Sequence, residues 1–360
     1  MENATEMYFL NVSMVVTQID STSLDMITII PSVTSEFNVA AFKHRAIVAA
    51  ILLVFALVGL LGNALVIISV IVGRKLRTIT NVLVVNLAFA DFMACILLPF
   101  QSASLLSQTG RYPLHETVCA AVVAVQYISV CCSVHTLVAI AFVRWYVITR
   151  SIRGHQGLHT PKKIAIMVVV IWIFSISFMV VPPVLGIGTR GYSEYYSICS
   201  LTNTNELDEY YVVLQRALIA NALLFTLIFY IRILCHVLRH NKQFRDKYAV
   251  DEDTGSNSTE AHQNKASSSI ATGSRPPMIK AINRKEIEIT MNLFMVVCVF
   301  MLCFLPTMMV NFIIPGTSVY TLYSNMIVLM NSIVNPIIFG LKHPNFQEVF
   351  NKILCCRPVG

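Results

Sequence analysis

Residues 46–73 read AIVAAILLVFALVGLLGNALVIISVIVG, 28 consecutive positions without Asp, Glu, Lys or Arg. As a helix rising 1.5 Å per residue this run is about 42 Å long, more than the roughly 30 Å of a bilayer's hydrocarbon core. It can therefore cross a membrane. The pattern recurs along the chain at 82–106, broken only by Asp91, at 118–143, at 164–185, and at 211–234, interrupted by Arg216 and Arg232. The uncharged stretch 289–341 is long enough for two spans, divided near Pro315-Gly316-Thr317-Ser318. Seven spans are predicted, which places the two termini on opposite sides of the membrane. Composition agrees: 56% of the 360 residues are apolar and 12% charged, against roughly 25% charged in an ordinary soluble domain. A soluble globular fold is not expected. For the net charge of +7, where the charges sit matters more than their sum, since nucleic-acid binding would need them clustered on one face; nucleic acid is not an expected partner.

Lys and Arg in the loops set the orientation. Arg74, Lys75 and Arg77 fall in the first loop, Arg150, Arg153, Lys162 and Lys163 in the third, and nine basic residues between Arg239 and Lys285 in the fifth. With Arg144, Arg232, Lys342, Lys352 and Arg357, one side holds 21 of the 26 basic residues. That side is cytosolic, so the N-terminus is extracellular and the protein is expected in the plasma membrane.

Residues 1–45 carry two glycosylation acceptors, Asn3-Ala4-Thr5 and Asn11-Val12-Ser13, which suit an extracellular segment. No basic start followed by an apolar core marks a cleavable leader, so the first span is expected to serve as its own insertion signal. Residues 46–344 form the membrane domain. Within it, 241–280 are rich in Ser, Asn, Thr, Lys and Asp and are expected to be disordered. Residues 345–354 place Phe346, Val349, Phe350 and Ile353 on one helical face, a pattern that lies along a bilayer surface. Cys355 and Cys356 follow it as palmitoylation candidates. Of the ten cysteines, only Cys119 and Cys199 fall on the oxidising side, and they are the natural disulfide pair.

Several residues now line up. They are Gly62-Asn63 in span one, Leu87-Ala88-x-x-Asp91 in span two, and Cys119, Ser133, Leu137, Ile140 and Arg144 in span three. Trp172 marks span four and Tyr230 span five. Phe300 with Cys303-Phe304-Leu305-Pro306 marks span six, and Asn331-Ser332-x-x-Asn335-Pro336-x-x-Phe339 span seven. In this order and spacing the chain resembles the class A, or rhodopsin-like, G protein-coupled receptors. The resemblance covers all seven spans, roughly residues 46–355. It implies an all-α seven-helix bundle closed by a short amphipathic eighth helix, with an extracellular ligand and a heterotrimeric G protein as partners.

A mid-span carboxylate costs about 2.5–3.5 kcal/mol to insert, so Asp91 requires partners. In similar receptors an acid here, with counterparts of Ser133, Asn331, Ser332 and Asn335, holds a sodium ion that favours the inactive state. At the cytosolic end the resemblance makes Arg144 the switch, with Glu286, Tyr230, Asn335, Pro336 and Phe339 around it. Pro306 breaks the backbone ladder of span six and forms its hinge. Ile148 and Ile152 stand where an apolar side chain enters the G protein. Departures are visible too. Val143-Arg144-Trp145 replaces Asp-Arg-Tyr, so the neighbouring carboxylate is missing and raised basal activity is expected. Phe304 replaces a usual Trp, Ala222 a proline, and Phe339 a tyrosine. The tail beyond Leu341 has no Ser or Thr, so receptor kinases and arrestin would have to use the Ser and Thr residues of 256–274.

For the ligand, Gln126 stands where amine receptors of this family carry Asp, which disfavours a cationic amine. Leu329 stands where light-sensing members carry the retinal-binding Lys, so no retinal is expected and no cofactor beyond a possible sodium ion. By position, the pocket is lined by Gln101, Gln126, Tyr127, Val130, Phe304, Thr307, Met308, Asn311, Tyr323 and Met326. This lining suits a neutral small molecule. Tyr230-Ile231-Arg232-Ile233 and Phe339-Gly340 look like the melatonin receptor group, and the acidic outer loops leave a peptide ligand as an alternative. A transporter would need several mid-membrane charges or related repeats, and only Asp91 is present. No catalytic constellation points to an enzyme.

Overall fold

Pro161 opens one helix, and Pro306 and Pro336 sit inside two others. A first-turn proline loses no hydrogen bond, whereas an interior one frees the carbonyl four residues back. The computed structural model describes residues 29–149, 160–194, 196–202, 206–255, 284–313 and 318–355. Its helices are α1 (Ile29–Val72), α2 (Asn81–Leu105), α3 (Glu116–Thr149), α4 (Pro161–Val184), α5 (Glu206–Gly255), α6 (Arg284–Ile313), α7 (Ser318–Leu329), α8 (Asn331–Lys342) and α9 (Pro344–Leu354). Two strands, β1 (Arg190–Ser193) and β2 (Ile198–Leu201), pair antiparallel with Tyr192 opposite Cys199.

Seven stretches are long and apolar enough to cross a membrane, the last being α7 and α8 together. The chain divides into Met1–Ile47 and Val48–Gly360. In the first unit the described residues are helical from Ile29, and the Arg45 guanidinium lies 5.5 Å from the centre of the Phe42 ring. The second unit is the bundle. There α3 is central, packing against α2, α4, α5 and both strands. Asn86 on α2 donates to the Thr136 hydroxyl of α3 at 2.8 Å and accepts from the Trp172 indole of α4 at 2.8 Å. A buried amide is thus satisfied by two neighbouring helices, which fixes their register.

The main core joins Leu83 and Leu87 of α2, Leu137 and Ile140 of α3, Val296 and Phe300 of α6, and Phe339 of α8. A second cluster joins Val48, Leu52 and Ala56 to Leu98, Leu105 and Leu322. The outward faces are apolar as well: Leu57 is 60%, Ile166 61% and Leu302 65% exposed. Apolar surface on this scale requires hydrocarbon rather than water as its solvent.

Three boundaries differ from the sequence reading. α1 begins at Ile29, ahead of the apolar run at 46. α5 continues to Gly255, so residues 241–255 are helical rather than disordered. The reason is cooperativity: once a helix is nucleated each further residue adds one hydrogen bond at little cost, and Lys, Gln and Arg are good helix formers. Span seven is broken at Met330, where α7 gives way to α8. The remainder of the 241–280 segment, the acceptors Asn3 and Asn11, Ile152 and Cys356 lie outside the described residues, as do the side chains of Asn311 and Glu286.

α9 packs its apolar face on the bundle. Phe346, Val349 and Phe350 are buried, and the Phe346 ring stacks on Phe339 with centroids 5.5 Å apart. Glu348 on its other face pairs with Lys75 and Lys352, each at 3.0 Å. These cations, Lys75 foremost, hold the Glu348 carboxyl below its ordinary range.

Candidate functional site

The functional positions form three levels. At the extracellular end, Cys119 and Cys199 are disulfide-bonded with Cα atoms 5.4 Å apart, tying β2 to the top of α3. Gln101 reinforces the tie: its amide nitrogen donates to the Cys199 carbonyl at 3.0 Å, and its carbonyl accepts from the Cys199 N–H at 3.3 Å. A predicted ligand residue is therefore occupied with holding the loop strand. Gly188 has φ +71°, a conformation that suits glycine. A side chain there would run into the Tyr211 ring, and its bare backbone lets the N–H reach the Asp208 carboxylate at 2.5 Å.

Beneath this roof, Gln126 on α3 is 6% exposed, and both its amide atoms are buried without a hydrogen-bond partner. One turn further, the Ser129 hydroxyl is buried and equally unpaired. Phe304 is buried and stacks on Phe300 at 5.3 Å, forming an aromatic floor. The Thr307 hydroxyl donates to the Ser324 carbonyl at 3.1 Å, joining α6 to α7. Tyr323 and Met326 pack on the cluster shared by α1, α2 and α7, while Val130 and Met308 pack on the main core.

At mid-depth, Asp91 is 2% exposed. Ser133 donates to its Oδ1 at 2.9 Å and the Asn335 amide to its Oδ2 at 2.5 Å. Ser332 lies close enough to act on the same carboxylate. Asn331 is buried beside these residues on α8, and both its amide oxygen and its amide nitrogen lack a partner. Among the described residues no group of three His, Cys, Asp or Glu could hold a transition metal. One carboxylate with several neutral oxygens is instead a donor set for a hard cation. The unpaired Asn331 oxygen fits such an ion.

At the cytosolic end, Arg144 is buried on α3. The Tyr230 ring of α5 lies beside Phe294 of α6 at 5.4 Å; its hydroxyl is buried without a hydrogen bond, and Arg144 acts on it electrostatically. Val143, the residue in place of an acid, is packed in the core. Ile148 is only 7% exposed and packs in the same core, so in this conformation its side chain serves the bundle. Sequence reasoning missed His343, at the joint between α8 and α9. It is buried edge-on against Phe346 at 5.0 Å, and burial, then the nearby Arg144 cation, lowers its pKa to about 4. Its position two residues past the last span, beside a proline, was the available signal.

A seven-helix bundle with a disulfide-tied outer loop, a polar mid-membrane node and a buried cytosolic arginine is the architecture of a membrane receptor. Residues 62–339 match the family model of the 7 transmembrane receptor (rhodopsin family). The chain belongs to that family: it is a multi-pass G protein-coupled receptor for an extracellular ligand, and not an enzyme. It is 24% identical to the 5-hydroxytryptamine receptor 1B of Mus musculus over 89% of this chain and 90% of that one. The same identity is found with the receptor of that name from Felis catus, over 89% of both chains. Its fold is similar to that of squid rhodopsin, with a TM-score of 0.69 at 18% identity, covering 88% of this chain and 87% of the other.

Proposed function

We propose that this receptor binds a small molecule in the upper pocket that the sequence positions define beneath β2, neutral where it meets Gln126, and passes the binding energy to the G protein through α6 and Arg144. The observation that carries the reading is the buried, unpaired Gln126 amide. Leaving a buried donor and acceptor unmade costs about 1–3 kcal/mol each, and a ligand that supplies both recovers it. The relatives' name points to an amine, 5-hydroxytryptamine, but Gln126 offers no negative charge to an ammonium. Pro306 is the hinge of α6, and ligand and G protein shift the bundle only by their differential contacts with its two states.

In the same reading, Asp91, Ser133, Asn331, Ser332 and Asn335 hold a sodium ion in the inactive state. Tyr230, Glu286, Pro336 and Phe339 form the switch around Arg144, and Ile152 with a released Ile148 meets the G protein. Asn3 and Asn11 carry glycans on the outside of the plasma membrane, Cys355 and Cys356 carry palmitate, and the 256–274 Ser and Thr residues recruit arrestin after phosphorylation by receptor kinases.

The test is G protein dissociation in transfected cells across the Gα families, comparing the wild-type chain with Arg144→Ala at matched surface expression. With Val143 in place of an acid beside Arg144, a ligand-free signal in at least one family, abolished by Arg144→Ala, is expected. A wild-type signal that Arg144→Ala leaves intact would overturn the role given to Arg144.

A further inference from the structure

The last turn of α8 leaves backbone carbonyls that its own helix cannot pair, as every α-helix end does. Two of them are met by side chains of neighbouring helices. The Gln347 amide of α9 donates to the Leu341 carbonyl at 2.7 Å, and the Asn292 amide of α6 donates to the Lys342 carbonyl at 2.8 Å. The first joins helices that follow one another in the chain. The second crosses 50 residues of sequence and ties the cytosolic half of α6 to the end of span seven.

Pro306 lies between this tie and another. Beside the proline, the Thr307 hydroxyl holds α6 to the Ser324 carbonyl of α7. Asn292 stands 14 residues away on the other side. That is about 21 Å of helix. A rotation of about 3° at the hinge therefore carries the Asn292 amide about 1 Å, enough to take its bond beyond hydrogen-bonding range. The lever is shut in this structure. Leu293 and Val296, on the same half of α6, are buried in the core that also holds Ile140, Val143 and Ile148 of α3 and Phe339 of α8. Arg144 is buried as well.

We propose that Asn292 is a positioning residue of the switch: by capping the Lys342 carbonyl it holds the cytosolic half of α6 closed over Arg144, and opening exchanges this bond for water. The inference rests on the reading that α6 swings from Pro306 to admit the G protein. The cap is a neutral bond between a side chain and the backbone, so it restrains α6 without an acid beside Arg144, where Val143 stands.

The experiment reads the full chain in two ways. The first is ligand-free G protein dissociation in transfected cells at matched surface expression. Removing one net hydrogen bond shifts the balance of closed and open forms roughly two- to tenfold, and Asn292→Ala should raise the signal by that factor. Asn292→Asp should raise it further, because its carboxylate faces a carbonyl at the negative end of α8. Asn292→Lys keeps a donor and suits that end, so it should signal no more than the wild type. Loss of packing alone would raise all three alike. Adding Arg144→Ala should abolish each rise. The second reading, in lipid nanodiscs, is the distance between spin labels at Met291→Cys on α6 and Arg74→Cys in the first cytosolic loop, with Cys235, Cys355 and Cys356 replaced by Ser. Asn292→Ala and Asn292→Asp should enlarge the long-distance population, and Asn292→Lys should not. The proposal is overturned if the distances in Asn292→Ala and Asn292→Asp superimpose on the wild type, or if Asn292→Lys opens as far as Asn292→Asp. It is also overturned if the wild type signals through Arg144 and neither Asn292→Ala nor Asn292→Asp raises that signal. Longer distances with no Arg144-dependent signal in any Gα family uphold the cap and count against the transducing reading. Arg144-dependent signalling with unchanged distances does the reverse.

Discussion

The Asn63 amide on α1 donates to the backbone carbonyl of Ser332 on α8 at 2.8 Å, across 269 residues of sequence. That carbonyl is the one whose helical donor is missing, because Pro336, four residues on, has no N–H. The same amide also donates to the Gly59 carbonyl at 2.9 Å. One side chain thus repairs the gap a proline opens in another helix. Asn63→Ala leaves a buried carbonyl unpaired, and a loss of about 1–3 kcal/mol is expected. Thermal unfolding in nanodiscs checks this, and an unchanged Tm would contradict it.

The approach that allows this bond depends on Gly62. A β-carbon there would sit 2.8 Å from the Pro336 ring, a rigid group that cannot swing away. Gly62→Ala should separate α1 from α8 and destabilise the receptor by about 1–3 kcal/mol, the usual cost of overpacking. Lowered surface expression and Tm are the readouts. Asn63→Ala and Gly62→Ala combined in one chain should fall short of additive, since both act on one contact.

Sodium dependence follows from Asp91. With sodium bound among Asp91, Ser133 and Asn331, the wild-type Tm should be higher in sodium chloride than in an equal concentration of choline chloride, because an ion that binds only the folded state stabilises it by mass action. Asp91→Asn keeps the shape but removes the charge, and the difference between the salts should vanish. A sodium effect that survives Asp91→Asn would place the ion elsewhere.

His343 predicts a pH dependence. Its folded pKa of about 4 lies below the ordinary 6.5 because burial, and then Arg144, disfavour the imidazolium. Between those values the unfolded chain takes up a proton that the folded chain refuses. Stability is therefore full above pH 6.5 and falls as pH drops towards 4, by on the order of 3 kcal/mol at most. His343→Gln should flatten the Tm profile between pH 7.5 and 5. If the variant and wild type lose stability in parallel, other groups carry the effect.

The seven spans were legible because each is a long apolar run, and a bilayer tolerates few other ways of satisfying the backbone. Asp91 was legible for the converse reason, as a lone acid in such a run, and its Ser133 and Asn335 hydrogen bonds came with it. Helix extent in polar segments was not legible. The helix beyond 240 on α5 is held by helix propagation, which leaves no apolar stripe to read. The break at Met330 is likewise silent, since no Gly or Pro stands there. Arg190 could be counted as an outer-side charge, but its hydrogen bond to the Met179 carbonyl exists only once the hairpin is folded over α4. Gln101 illustrates the same limit: its pocket-level position was readable, whereas its two hydrogen bonds to Cys199 depend on where the loop strand lands.

Those two bonds and the disulfide grip the same residue from α2 and α3 at once, so β2 is held at three points. A strand anchored in this way cannot flap. Anything that reaches Gln126 from outside must therefore pass a strand whose place at Cys199 is fixed from two helices at once.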